Sequence, residues 1–222
     1  RFTGLFSHLC AANSFDPSDE AFTARQTDAF LRLAEALRAC GCPVGETHLL
    51  ASAGLLRLHP QPCSHARPGL ALFGAWETSG ERDESCGLRP VLSLRARIAS
   101  VRRLEAGERA GYGLAFTASR PTLLAAAAIG YVDGLPRDLP ERGGEVLLHG
   151  VRVPIVGRLC MDQLLIDATD AGEVRSGDII TLIGEDGDEC ITVEEVAGRC
   201  GTISNEILSR LGSRLGLIVR QQ

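Results

Sequence analysis

Two short stretches hold side chains whose types and spacing could do chemistry. In Ile129-Gly130-Tyr131-Val132-Asp133-Gly134-Leu135-Pro136-Arg137 an apolar strand ends in Gly-Tyr, and an Asp-Gly turn follows directly. The phenol of Tyr131, one of two tyrosines in the chain, then sits at a strand end beside a loop, where functional groups often lie. A phenol can exchange a proton with a substrate only if its anion is stabilised, because a free phenol ionises near pH 10. Taken alone, the local sequence favours a tyrosine that simply packs there. The second stretch is Gly157-Arg158-Leu159-Cys160-Met161-Asp162-Gln163, which holds the only methionine between a cysteine and an aspartate. By itself it reads as a strand entering the core, with Asp162 starting a turn. A third cluster, His59, Cys63 and His65, has three possible metal ligands but no second cluster of matched spacing, so a metal is not expected.

These groups need elements to hold them. The first third alternates strands and helices. Residues 5–9 read as a short strand. Asp16-Pro17-Ser18-Asp19 starts a helix, with an N-cap, proline at the first helical position and an early acid. Phe22, Ala29, Phe30, Leu33 and Leu37 then recur at helical spacing, and Gly41 is placed to end the helix. A strand over 47–51, a short helix over 52–58 and a buried segment over 69–74 follow. Such alternation favours parallel α/β packing. The polar stretch 77–84 has the composition of a boundary. Beyond it the pattern is mostly β. Leu92, Leu94, Ala96 and Ile98 alternate to one side, and His149-Gly150 separates two strands as a hairpin turn. Strands are also expected at 163–167 and 178–183, and helices near 193–199 and 204–211. Many short strands with turn signals argue for a barrel or sandwich.

Composition narrows the function classes. The 222 residues carry a net charge of −5 without a basic stripe, which gives nucleic-acid binding little support. The longest apolar run, 123–129, is far too short to span a bilayer, and the expected location is cytoplasmic. Eight cysteines without a C-x-x-C pair read as reduced packing residues. The chain has 23 arginines and no lysine, so it cannot by itself complete chemistry that needs a lysine amine. It also opens on Arg1 rather than Met, and together these suggest a piece of a longer or split protein.

The two opening stretches, in this order, resemble the C-terminal domain of the alanine racemase family. The resemblance extends upstream through Phe6-Ser7-His8-Leu9-Cys10-Ala11-Ala12, through His48-Leu49-Leu50-Ala51-Ser52 and through residues 66–74. Downstream it takes in residues 176–184 and 201–210. It implies α/β plus all-β architecture: residues 1–78 as the last part of a (β/α)8 barrel, and 88–222 as a C-terminal β domain. The lysine that anchors pyridoxal 5′-phosphate would belong to the barrel half that this chain lacks.

The family's reaction removes the Cα proton of an amino acid and returns one on the opposite face, using two bases. The resemblance makes Tyr131 one base and the absent lysine the other. It makes His8 a contact of that tyrosine. Arg67 would face the pyridine nitrogen, with His48 supporting it. Ser52 and the backbone amides of Gly69 and Leu70 would hold the cofactor phosphate. Met161 and Asp162 would line the substrate pocket. It also implies a homodimer in which Tyr131 and Met161 act across subunits, with D-amino acids supplied to peptidoglycan. Asn205 stands where alanine racemases usually carry a tyrosine near the phosphate. With residues 88–94, it resembles the serine/alanine racemases of vancomycin-resistance clusters, whose members also carry an N-terminal membrane domain. The competing expectation is a non-catalytic chain that binds a partner, which the missing lysine supports.

Overall fold

In the computed structural model, which describes residues 2–78, 80 and 84–219, the chain forms two units, Arg1–Pro90 and Val91–Gln222. The first is built on three parallel strands in the order β1 (Gly4–Phe6), β2 (Glu46–Ala51) and β3 (His65–Arg67). Parallel neighbours need a crossover, and helix α1 (Pro17–Ala39) supplies it between β1 and β2, with the short α2 (Ser52–Arg57) between β2 and β3. The helix start matches the sequence expectation. The Asp16 side chain accepts from Ser18 N–H at 2.8 Å, Pro17 opens the first turn, and Asp19 and Glu20 follow. Gly41, at φ +77°, closes the C-terminus, its N–H donating to Arg38 O. Leu9, Phe30, Leu49 and Leu50 form the core of this unit.

The face that α1 buries differs from the expected one. Thr23, Thr27, Phe30 and Ala34 are buried, while Phe22 and Leu33 are exposed. The buried row follows the i, i+4, i+7, i+11 line exactly one residue off Phe22 and Leu33, so two threonines take positions that hydropathy alone would give to the larger apolar residues. Thr27 offsets its burial by donating to Thr23 O at 2.9 Å. The segment 69–74 also departs from expectation. It contains a 3₁₀ turn, Leu70–Phe73, with Leu72 and Phe73 exposed. At three residues per turn, successive side chains point apart, so an apolar run cannot all face one side.

The second unit contains a seven-stranded antiparallel sheet. Its strands are β4 (Leu94–Leu104), β7 (Thr122–Ala127), β8 (Glu145–Leu148), β9 (Val151–Val156), β10 (Leu164–Asp167), β11 (Ile179–Asp186) and β12 (Glu189–Ile191). Two-residue strands β5 (Arg109–Ala110) and β6 (Phe116–Thr117) form a side ribbon. The order is β12-β11-β4-β7-β10-β9-β8, and β11 also pairs with β8 through Thr181 and Leu147. That extra pairing closes six strands into a ring and removes two open edges. The expected alternation holds on β4, where Leu94, Ala96 and Ile98 are buried. Register then shifts between Ile98 and Ser100, letting an 11-residue strand bend along the barrel. The hairpin turn is also as expected: His149 and Gly150 both take positive φ, the geometry that two-residue hairpins need.

Helices α3 (Val193–Arg199) and α4 (Ser204–Arg210) follow the strands. Half of the polar stretch 77–84 expected as a boundary, residues 79 and 81–83, lies outside the described residues. No described helix is long and apolar enough to cross a membrane.

One ionic cluster ties α3 to the barrel. Arg152 on β9 bonds Glu189 at 2.9 Å, Glu195 at 2.7 Å and the Cys190 carbonyl at 2.5 Å. Arg199 bonds Glu145 at 2.6 Å and Glu195 at 3.1 Å. Burial pushes the Glu195 carboxyl up, but hydrogen bonds from Arg152 and Arg199 outweigh it and hold the group below its ordinary value of 4.5. A depressed carboxyl stabilises the fold above its unfolded value and loses that stabilisation as pH falls through the folded one. The thermal stability of this unit should therefore fall below about pH 4.5. Arg152→Ala should cost about 1–3 kcal/mol at neutral pH and flatten that acid dependence, measured by denaturant melts across pH.

Candidate active site

Three parallel strands running the same way deliver their C-terminal ends to one edge of the sheet, where the loops carry side chains outward. In the first unit those ends hold His8 after β1, Ser52 after β2, and Arg67 at the close of β3 followed by Gly69. The register pairs Phe6 with His48 and His48 with His65, so His48 lies mid-row between its neighbours. Its ring stacks on Phe6 with centroids 5.2 Å apart and planes 6° from parallel.

Arg67 gathers this edge. Its Nη1 lies 2.6 Å from Nδ1 of His48, and its Nη2 donates to Ser7 O at 2.9 Å and Leu49 O at 3.3 Å. Nη2 also lies 3.3 Å from Nδ1 of His8. A guanidinium has only donors, so both Nδ1 atoms must be acceptors and both imidazoles carry their proton on Nε2. Neither the Nε–H of Arg67 nor the second N–H of its Nη1 has a hydrogen-bond partner among the described residues, which leaves two donors for a ligand. Sequence reasoning missed Gln26. Its amide donates to His8 O at 2.7 Å and accepts from Cys10 N–H at 3.1 Å, pinning the loop that carries His8. No local motif marks that contact, because it joins mid-helix to a loop 18 residues away.

Ser52 and Gly69 come together as well. The Ser52 hydroxyl accepts from Gly69 N–H at 2.8 Å and from Ala71 N–H at 3.2 Å. The Gly69 amide is therefore engaged, and the donor presented at this point is the hydroxyl hydrogen of Ser52, polarised by two amides behind it. A Cβ at Gly69 would meet nothing nearer than Ser52 Oγ at 3.9 Å, so the backbone there is open to close approach. Leu70 heads the 3₁₀ turn that follows. His65 instead faces Glu46 at 3.2 Å, and no three of His, Cys, Asp and Glu gather as a metal group among the described residues.

The second unit joins the two stretches that opened the sequence reading. Tyr131 N–H donates to Cys160 O at 3.0 Å and Val132 N–H to Met161 O at 2.9 Å. Tyr131 is not on a strand; it begins a 3₁₀ turn, Tyr131–Asp133, four residues after β7 ends. Tyr131 is 36% exposed and Met161 56%, so both side chains of the joined loops reach solvent. Asp162 follows Met161 and is exposed too. The junction depends on Gly130, where a Cβ would lie 2.3 Å from Cys160 O and 2.5 Å from the Met161 carbonyl carbon. Gly134, at φ +108°, packs the same turn against the end of α4, where a Cβ would lie 2.4 Å from Arg210 O. Asn205, exposed on the first turn of α4, thus belongs to a helix that this loop touches. Gly130→Ala should push the loops apart and cost about 1–3 kcal/mol, read as a lower melting midpoint with new solvent accessibility at Cys160.

Comparison with known proteins covers nearly the whole chain. Residues 91–219 match the alanine racemase C-terminal domain and residues 1–77 the alanine racemase N-terminal domain. An amino-acid racemase of Enterococcus faecalis is 37% identical over 221 residues, which are 99% of this chain and 31% of that protein. An alanine racemase of Geobacter sp. (strain M21) is 37% identical over 213 residues, 95% of this chain and 55% of that protein. Among solved structures, alanine racemase from Bacillus anthracis with bound L-Ala-P superposes at a TM-score of 0.85 with 33% identity, over 96% of this chain and 53% of that one. Alanine racemase from Bartonella henselae with covalently bound pyridoxal phosphate superposes at 0.79 with 31% identity, over 96% and 55%. The chain spans about a third of the Enterococcus protein and about half of the others. It carries the later part of the racemase barrel and the β domain that follows, and it belongs to the alanine racemase family.

Proposed function

We propose that this chain supplies the pyridoxal-phosphate cradle and one of the two bases of an amino-acid racemase. The observation that carries this reading is the joining of the Tyr131 and Met161 loops, with both side chains presented on one barrel end of a family member. The residues present fit the cofactor. Arg67 has two unused N–H groups, the Ser52 hydroxyl can donate to an anion, and the backbone at Gly69 is uncrowded. Pyridoxal phosphate, when bound, supplies a ring that withdraws the electrons left at Cα by loss of a proton.

This chain's residues do the rest. Ser52, with the Gly69 and Leu70 segment, holds the phosphate. Arg67 keeps its proton and so faces the ring nitrogen without protonating it, which limits how far charge spreads and disfavours side reactions. His48 and Ser7 O fix the guanidinium, and His8 stands beside it. Tyr131 moves a proton at one face of Cα, while Met161 and Asp162 bound the substrate. The second base and the cofactor's covalent anchor come from a lysine outside these 222 residues, because the chain has none. Two copies then form a homodimer in which Tyr131 and Met161 serve the partner's cradle. The product D-amino acid is suited to peptidoglycan supply.

Asn205 supports a broader substrate range than alanine. A side-chain amide in place of a bulky phenol adds both room and a hydrogen-bonding group, which suits serine. The Enterococcus relative is called an amino-acid racemase and not an alanine racemase, in the same direction.

A chimera tests the assignment. The lysine-bearing front half of the Geobacter relative, fused to this chain, should racemise L-alanine, read as D-alanine formed. Tyr131→Phe should lower that rate by about 10²–10⁴-fold. A chimera that folds and takes up cofactor yet forms no D-alanine overturns the reading. In the same background, Asn205→Tyr should lower the serine-to-alanine ratio of kcat/KM by about tenfold.

A further inference from the structure

We propose that Asp133 is the positioning residue for Tyr131, acting from beneath the loop without touching substrate. The assignment rests on the racemase reading only for the importance of Tyr131; the contact itself stands on geometry. Asp133 is 5% exposed, and a carboxylate so far from water must be paired and hydrogen-bonded. Its Oδ2 accepts from Gly130 N–H at 2.9 Å, and its Oδ1 lies 3.5 Å from Nε of Arg214. Its backbone N–H donates to Gly130 O at 3.1 Å, and its carbonyl accepts from Gly212 N–H at 3.4 Å.

Each polar group of this one residue is therefore engaged, either with the residue that precedes Tyr131 or with the segment after α4. The two contacts with Gly130 lock a single 3₁₀ turn from both ends, and Tyr131 is the first residue of that turn. A 3₁₀ turn this short leaves its leading N–H groups without internal partners. Here Cys160 O and Met161 O take those of Tyr131 and Val132, and the aspartate side chain reaches back three residues to the N–H of Gly130, as the third-position acid of a capping box does. Gly130 itself is extended, at φ −152° and ψ −161°, and glycine has wide conformational freedom, so the cap adds to the Cys160 and Met161 contacts a restraint on the direction in which Tyr131 enters the turn. The carboxylate's contact with Arg214 and the backbone carbonyl's contact with Gly212 draw in the segment after α4, so the same residue ties the end of the helix bearing Asn205 to the tyrosine loop.

The chain's two tyrosines make a direct test possible, with Tyr112 as the internal reference. Ring carbons are labelled in tyrosine only, the two signals are assigned with Tyr112→Phe, and ring order is read by NMR relaxation in this 222-residue chain. Asp133→Ala should remove the order of Tyr131 and leave Tyr112 unchanged. Asp133→Asn keeps an acceptor for Gly130 N–H and should restore Tyr131. Tyr131 order unchanged in the alanine variant, or lost equally in the asparagine variant, overturns the proposal. Should Asp133→Ala fail to fold, amide exchange in the unsubstituted chain decides. Gly130 N–H protected by at least about 100-fold supports the bond, and exchange at an open-loop rate overturns it. In an active chimera, Asp133→Ala should lower kcat by about tenfold with little change in KM, as expected of a misdirected base rather than a lost substrate contact. The spectra need no activity, so their outcome stands apart from that of the racemase assignment.

Discussion

The second unit depends on a place where no Cβ can go. At Gly130 the backbone of one loop lies against the carbonyls of another, and any side chain would sit 2.3 Å from Cys160 O. That closeness allows the N–H groups of Tyr131 and Val132 to reach Cys160 and Met161. Two loops separated by almost thirty residues thus become one surface. Their positions are inherited from the barrel, since the strands that precede Tyr131 and follow Met161 are β7 and β10, which pair directly through Ala127 and Leu164. Closure of the ring fixes that pairing, the pairing brings the loops together, and the missing side chain lets them join.

The first unit solves a different problem, which is to hold a charge still. Arg67 spends its two terminal nitrogens on fixed acceptors from β1, β2 and the histidines. Each acceptor belongs to the parallel sheet or the loop just beyond it, so sheet register determines where the guanidinium points. Charge-assisted bonds are stronger than neutral ones, and several together restrict rotation more than any one would. What remains are two N–H groups, on Nε and Nη1, with defined directions. Ser52 follows the same pattern on a smaller scale, because two amides fix its oxygen and leave its hydrogen to be directed.

Much of this was readable from the sequence, and what was missed shares a cause. The start of α1 and the 149–150 turn follow from local rules that involve neighbours in the chain: an acid before a proline, and two residues that tolerate positive φ. The alternation on β4 follows from period two. The buried face of α1 did not follow, because Thr23 and Thr27 are chosen by what packs against them and not by their hydropathy. Leu72 and Phe73 failed for the related reason that a 3₁₀ turn has no apolar side. Within the site, Tyr131 and Met161 could be paired in advance only through a family resemblance, since nothing local in either stretch names the other. Asp133 was read as half of an Asp-Gly turn, which it is. Its buried carboxylate was invisible because its partners at Gly130, Gly212 and Arg214 are set by tertiary contact.

The absence of lysine sharpens how the work must be divided. All 23 basic side chains other than histidine are arginines, which stay protonated and do not condense with an aldehyde. No side chain here can anchor pyridoxal phosphate covalently, and none can shed a proton as a lysine ammonium does. What the chain does offer is directed donors from Arg67 and Ser52, and the solvent-reaching phenol of Tyr131. Inversion at a carbon needs a second proton carrier on the opposite face, and a single tyrosine cannot stand on both sides of a planar intermediate. The other carrier must therefore approach from a separate piece of backbone. Two bases borne by different segments, each held by its own rigid scaffold, is the arrangement that the proposed racemisation requires, and on that proposal this chain supplies one of them.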